Sequence, residues 1–192
     1  MGKNPAIFLD RDGTINEEMG YINHIDRFKI FPFVAESIKI FRKNGFKTIV
    51  VTNQSGVARG YFTEELLNKV HTKLANFLEE NGTKLDGIYY CPHHPSEGTG
   101  RYKLECNCRK PKTGLIEIAA QEHDIDLKKS YMIGDRYKDM KFAQNLNIKS
   151  GFVLTGYGKG EYEHQKQTWS YMPDIIAKNL KEMAQKITEP LP

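Results

Sequence analysis

Ala6-Ile7-Phe8-Leu9-Asp10-Arg11-Asp12-Gly13-Thr14 begins apolar and turns polar without transition. Four apolar residues in succession read as a short, fully buried strand, and the Asp-Arg-Asp-Gly that follows marks where the chain leaves the core. Two carboxylates two residues apart in an extended segment point to the same side. A carboxylate is ionised at neutral pH and attacks phosphorus without a base to activate it. Its neighbour can protonate the leaving oxygen and later deprotonate a water. Gly13 lets the backbone turn closely beneath a phosphate, and Thr14 can donate a hydrogen bond there. An Asp-Gly pair is more often a solvated turn, so the reading depends on what ends the other strands.

The rest of the chain alternates short β-rich runs with longer helical ones. Val34–Asn44 carries Val34, Ile38 and Phe41 at helical spacing and closes on Gly45; Lys47–Thr52 is a second strand. Thr63 caps a helix with Leu66, Leu67, Val70, Leu74, Phe77 and Leu78 on one face, ending at Asn81-Gly82. Asp86–Cys91, Tyr131–Gly134 and Gly151–Thr155 read as further strands, with helices over Leu115–His123 and Lys138–Leu146. Ile175, Ile176, Leu180, Met183, Ala184 and Ile187 place a docked helix in the tail. This alternation implies an α/β fold, a Rossmann-like parallel sheet with helices on both faces. No repeat or linker divides residues 1–192, so one domain is expected. In such sheets the ligand sits beyond the carboxyl ends of the strands, where the strand order reverses.

Those ends are polar. Thr52-Asn53-Gln54-Ser55-Gly56 follows the second strand and offers hydroxyl, amide and backbone N–H groups as a neutral anion nest. Arg109-Lys110-Pro111 puts two cations beside a helix start. The fourth strand ends in Gly134-Asp135-Arg136, with Asp139 beyond. If the first and fourth strands are neighbours, Asp135 meets Asp10 and Asp12. Three carboxylates repel unless a cation lies between them, and hard oxygen ligands at a phosphate site select Mg²⁺.

The 3 cysteines cluster. Cys91-x-His93 and Cys106-x-Cys108 supply three thiolates and an imidazole, a closed soft set that favours structural Zn²⁺. His94 is an alternative to His93, which is the expected ligand. Four protein ligands leave no open position, so the zinc is expected to stiffen the loop carrying Arg109 and Lys110. Its loss should cost recognition and stability rather than the phosphoryl chemistry itself.

The net charge of +4 is carried by dispersed Lys and Arg residues. No basic run interleaves with aromatics, which counts against a zinc-containing nucleic-acid binder or end-processing phosphatase, and a mere binder would leave the carboxylate set unexplained. The 39% hydrophobic and 27% charged fractions are those of a globular protein, and no apolar run spans a bilayer. With no signal peptide ahead of the first strand, a cytoplasmic location is expected. The expected partner is a small phosphorylated metabolite, with no nucleic acid or membrane, and the expected state is a monomer. Trp169 and Tyr157 read as loop packing, His71 as surface, and His24 and His123 join no constellation.

Asp10-x-Asp12-Gly13-Thr14, Thr52, Lys110 and Gly134-Asp135 with Asp139 together resemble the haloacid dehalogenase superfamily phosphatases, over residues 6 to about 155. Phe8–Asn16, Thr52–Gly56, Cys91-Pro92-His93, Cys106–Pro111 and Gly134-Asp135 narrow this to the histidinol-phosphatase-like family. The resemblance implies strand order 3-2-1-4-5 for the five core strands, no large cap domain, and a zinc loop after the third strand, about 91–108. It implies Asp10 as nucleophile and Asp12 as general acid and base. Mg²⁺ would be held by Asp10, the Asp12 carbonyl and Asp135, and zinc by Cys91, His93, Cys106 and Cys108. Thr52 and Lys110 would steady the phosphoryl group among Gln54 and Ser55, while Asn53 and Arg109 recognise substrate. Arg136 departs from the lysine common at its position, a cation of different reach and geometry. The implied reaction removes the 7-phosphate of D-glycero-D-manno-heptose 1,7-bisphosphate through an aspartyl phosphate, on the way to ADP- or GDP-heptose. Histidinol phosphate is the alternative substrate. The chain's standing alone, with no second enzyme fused to it, favours the heptose.

Overall fold

β1 (Ala6–Leu9) has every residue buried and lies at the middle of a six-stranded sheet. The computed structural model describes residues 2–189. On one side of β1 run β2 (Lys47–Asn53) and β3 (Gly87–Cys91); on the other run β4 (Tyr131–Gly134), β5 (Lys149–Val153) and β6 (Ile175–Ala177). The order is β3-β2-β1-β4-β5-β6 and every pairing is parallel. Leu9 is in register with Val50 on one side and Ile133 on the other. Asp10 therefore leaves the sheet at the point where the strand order reverses, which opens a crevice beyond the strand ends.

Side chains along β1 alternate between two cores. Ile7 and Leu9 face α1 (Val34–Lys43), α2 (Glu64–Glu80) and α6 (Leu180–Thr188), while Ala6 and Phe8 face α3 (Gly114–Glu122) and α4 (Tyr137–Asn145). A parallel sheet covered on both faces needs such uninterrupted apolar strands, because each face is buried under helices. The Thr63 side chain accepts from the Leu66 N–H and caps α2, as its position ahead of the apolar stripe implies.

Two expectations change. Ile175 and Ile176 lie not on the tail helix but on β6, a sixth strand paired with β5. β-branched side chains favour the pleat, and the Asn179 side chain, accepting from the Lys181 and Glu182 N–H groups, starts the helix only at Leu180. The Tyr157 region is not a loop: α5 (Gly158–Gln165) begins there. Its glycines depress helix propensity, which hides the element. Among the described residues no helix is long and apolar enough to cross a membrane.

Candidate active site and metal centre

The Asp10 N–H donates to Ile133 O at 2.9 Å, carrying the β1–β4 ladder one step past the strand and fixing the carboxylate at the crevice floor. Lys110 Nζ donates to Asp10 Oδ1 and to Asp139 Oδ1, each at 2.8 Å. Burial alone favours the neutral amine, but the two carboxylates hold Lys110 above its usual range and keep it charged. Gln54 Nε2 donates both to Asp12 Oδ2, at 2.8 Å, and to Thr52 Oγ1, at 3.0 Å. Asn53 clasps the Lys110 backbone in both directions: its Nδ2 donates to the Lys110 carbonyl and its Oδ1 accepts from the Lys110 N–H, both at 3.0 Å. The end of β2 is thereby tied to the cysteine-bearing loop.

Asp10, Asp12, Thr52, Asn53, Gln54, Ser55, Lys110 and Arg136 line one cavity of about 240 Å³, joined by Glu18, Tyr21, Lys138 and Tyr157. Arg109 lies outside it: its Nη1 donates to the His93 carbonyl, and it lines a neighbouring pocket with Cys106 and Pro111. Glu18, half buried in the main cavity, has its pKa raised by burial and by the charges of Asp12 and Asp10. A larger groove, of about 730 Å³, lies at the opposite end of the strands beside Arg42 and Thr83 and holds no carboxylate cluster. The chemistry belongs to the smaller cavity.

Asp135 is fully buried. Its Oδ2 accepts from the Tyr157 N–H at 2.8 Å, while Oδ1 has no protein partner. Two backbone segments press against it. Gly13 (φ +79°) and Gly156 (φ +53°) each leave room where a Cβ would come within 2.1 and 2.2 Å of Oδ2, so only glycine fits at either position. Carboxylate oxygens of Asp10, Asp135 and Asp139 lie within 4.8 Å of one another. Burial, then the charges of Asp10 and Asp139, push the Asp135 carboxyl up to about 8. An orphaned buried oxygen in a set of crowded hard donors fits a small divalent cation. Asp10, Asp135 and Asp139 make up that set, with Asp139 Oδ1 engaged by Lys110 and its Oδ2 left without a protein partner.

That crowding makes cation binding compete with a proton. Below about pH 8 the Asp135 carboxyl must release its proton to ligate, so Mg²⁺ affinity should strengthen roughly tenfold per pH unit up to that value and level off above it. Calorimetric titrations of the phosphate-free protein from pH 6 to 9 measure this slope. An affinity that is flat between pH 6 and 8 would show the carboxyl to be ionised throughout.

The second cluster closes around a different kind of donor. Cys108 Sγ lies 3.2 Å from Cys91 Sγ and 3.1 Å from Cys106 Sγ, and His93 Nδ1 lies 3.3 Å from Cys108 Sγ. All four donor atoms fall within 4.8 Å of one another. Three sulfurs and an imidazole converging on one point fit zinc with no vacant position. His94 is excluded from the set: its Nδ1 accepts from the Ser96 and Glu97 N–H groups, and its Nε2 faces Arg59.

Four further residues join the centre, and of these Arg11 had no mark in its sequence setting. Arg11 is buried against the Asp12 carboxylate, and Asp139 is buried against the Lys110 ammonium. His71 is not on the surface but half buried, with its Nε2 3.3 Å from Arg11 Nη1. Tyr157 is more than loop packing, since its N–H fixes Asp135 and its ring lies under the Arg136 guanidinium at 4.4 Å. Trp169 stacks on Tyr137 at 4.6 Å, a packing role as expected.

An aspartate pair at the reversal point of a Rossmann-like sheet, with a buried lysine and an acidic cation cradle, defines a phosphatase of the haloacid dehalogenase class. A HAD-hydrolase-like family model matches residues 107–183. The chain is 42% identical to the D-glycero-β-D-manno-heptose-1,7-bisphosphate 7-phosphatase of Haemophilus influenzae, covering 93% of this chain and 100% of that one. It is 44% identical to the enzyme of that name from Escherichia coli K12, over 81% of each. The crystal structure of the D,D-heptose 1,7-bisphosphate phosphatase of B. bronchiseptica, complexed with magnesium and phosphate, superposes with a TM-score of 0.82 at 28% identity, covering 95% of this chain and 97% of that one. The chain belongs to the D-glycero-β-D-manno-heptose-1,7-bisphosphate 7-phosphatase family.

Proposed function

We infer that this protein hydrolyses the 7-phosphate of D-glycero-β-D-manno-heptose 1,7-bisphosphate in two displacements at Asp10. The observation that carries the chemistry is the Lys110 ammonium held 2.8 Å from Asp10 at the floor of the cavity. An incoming phosphoryl group meets the same ammonium that neutralises the nucleophile. In the first step an Asp10 carboxylate oxygen bonds to phosphorus, the bond from phosphorus to the sugar O7 breaks, and Asp12 gives O7 its proton. In the second, Asp12 takes a proton from water, the water oxygen bonds to phosphorus, and the acyl phosphate bond breaks, restoring Asp10 and releasing phosphate. Lys110 and the Thr52 hydroxyl steady the equatorial oxygens throughout. Asp10, Asp135 and the Asp12 carbonyl would hold Mg²⁺, which would offset the repulsion between an anionic nucleophile and an anionic ester. Zinc stays structural. Arg136 and Lys138 line the cavity and suit the phosphate that is not cleaved. The protein acts as a monomer in the cytoplasm on this small phosphorylated sugar, away from nucleic acid and membrane.

Phosphate release with Mg²⁺ from heptose 1,7-bisphosphate and from histidinol phosphate, run in parallel, tests the reading. A kcat/KM at least about 100-fold higher for the bisphosphate is expected, because a site built for two anionic ends rejects a ligand lacking one. Preference for histidinol phosphate would keep the mechanism and overturn the substrate.

A further inference from the structure

Arg11 stands between the two catalytic aspartates in sequence, yet its side chain lines no part of the substrate cavity. It is 1% exposed, the largest fully buried side chain among the described residues. Its Nε and Nη2 donate to Asp12 Oδ1 at 3.1 and 2.9 Å, and Nη2 also reaches Oδ2 at 2.9 Å. Asn16 Nδ2 adds a donor to Oδ1 at 2.9 Å, and Gln54 Nε2 one to Oδ2 at 2.8 Å. Both carboxylate oxygens are therefore gripped, from one side by a rigid fork and from the other by amides.

The fork is anchored in its turn. Nη1 points at His71 Nε2, 3.3 Å away on α2. A guanidinium only donates, so Nε2 must accept and the imidazole proton sits on Nδ1. Burial, reinforced by the Arg11 charge, lowers the His71 pKa to about 3, which keeps the ring neutral and able to accept. The Phe28 ring packs below the guanidinium at 5.7 Å. The Arg11 carbonyl accepts from the N–H groups of Thr14, Ile15 and Asn16, which folds the turn around this one residue. A buried guanidinium carries a desolvation cost that an apolar side chain of similar volume would avoid. Its geometry is directed at one recipient, the acid that must meet the leaving oxygen.

We propose that Arg11, oriented by His71 on α2, is a positioning residue that holds the Asp12 side chain for its proton exchange with the leaving group. The carboxyl, protonated by the water it activated in the preceding turnover, gives that proton to the leaving oxygen and returns to the carboxylate that the fork grips. Neither residue touches substrate. The proposal takes Asp12 as general acid from the functional reading above, and it is independent of which alkyl phosphate is the natural substrate.

Leaving-group dependence tests it. An alkoxide must be protonated as it departs, whereas the phenolate of 2,4-dinitrophenyl phosphate leaves without help, and kcat/KM stops at that first irreversible step. Arg11→Lys keeps a charge but loses the fork. It should lower kcat/KM about 100-fold for whichever alkyl phosphate the wild-type enzyme turns over fastest, the penalty of a misplaced catalytic group. Dinitrophenyl phosphate should lose less than about threefold. His71→Leu, whose side chain suits the Leu67–Leu74 stripe of α2, should show the same selective loss at about tenfold, and it provides the reading if the Arg11 variant does not fold. Equal losses on both esters would mean that the pair only supports the fold near Asp10. No loss on either would mean that Asp12 needs no such support. Each of these two results overturns the proposal.

Discussion

Asp10→Asn should abolish turnover, lowering kcat by at least about 10⁴-fold while the protein still folds and still binds the bisphosphate. The amide has the shape of the carboxylate, and its oxygen can still accept from Lys110 Nζ, which keeps Asp139 as a charged partner at 2.8 Å. The cysteine cluster is untouched. What disappears is the anionic oxygen that must bond to phosphorus, and nothing nearby replaces it. Asp12 is gripped by Arg11 and Gln54, Asp135 is fully buried, and Asp139 is buried behind Lys110. Single-turnover phosphate release, read beside the melting temperature and zinc content, separates lost chemistry from lost structure. A residual rate within about a hundredfold of wild type would place the nucleophile elsewhere.

Cys91→Ser should produce the largest change in stability. Cys91 closes β3 and is in register with Asn53 on β2, and the other three soft donors sit at 93, 106 and 108. Between them the chain has a 3₁₀ turn, Gly100–Tyr102, and an isolated bridge between His94 and Lys103, but no longer helix or strand. The metal is thus the main crosslink of a long loop, and its loss should cost about 3–5 kcal/mol, as losing a native covalent crosslink does. At roughly 2–4 °C per kcal/mol for a chain of this size, the melting temperature should fall by about 6–20 °C. The geometry also widens the expected functional loss. The motifs alone confine it to recognition, but Lys110, two residues past Cys108, contacts Asp10 itself. The variant should therefore lose kcat as well as affinity. Metal analysis, thermal melts and steady-state kinetics read the three consequences. A variant that keeps its zinc and normal kinetics would remove the site from the account.

Much of this centre is legible in the chain because strand ends are places where residue type is dictated locally. Apolar runs announce the strands, and the polar groups that follow each one can only lie at one end of a parallel sheet. The soft donors at 91, 93, 106 and 108 are legible for a similar reason, since few other arrangements suit three cysteines so spaced. What stays hidden depends on partners distant in sequence. Ile175 and Ile176 fit a helical period as well as a strand, and only β5 as a neighbour decides between them. Arg109 and Lys110 are adjacent cations, and the Asn53 clasp on the Lys110 backbone is what aims one at Asp10 and leaves the other outside the cavity. His71 did carry a signal. It lies four residues after Leu67 and three before Leu74, inside the buried stripe of α2, where an imidazole needs a partner. Arg11 carried none, because a basic residue in a polar turn is ordinarily solvated.

The central place of β1 has a consequence for the order in which the chain is made. Asp10 follows the first strand of the sheet to be made, yet β1 gains its second neighbour only when β4 is synthesised. The lysine that charges the site arrives at position 110, the acidic cradle at 135, and the backbone N–H that steadies it at 157. Long-range parallel pairing cannot precede the emergence of both partners. A nascent chain that stops before residue 157 holds Asp10 in an unfinished sheet, without the full set of lysine, buried carboxylate and backbone N–H that completes the centre. The cavity forms only as those later segments emerge.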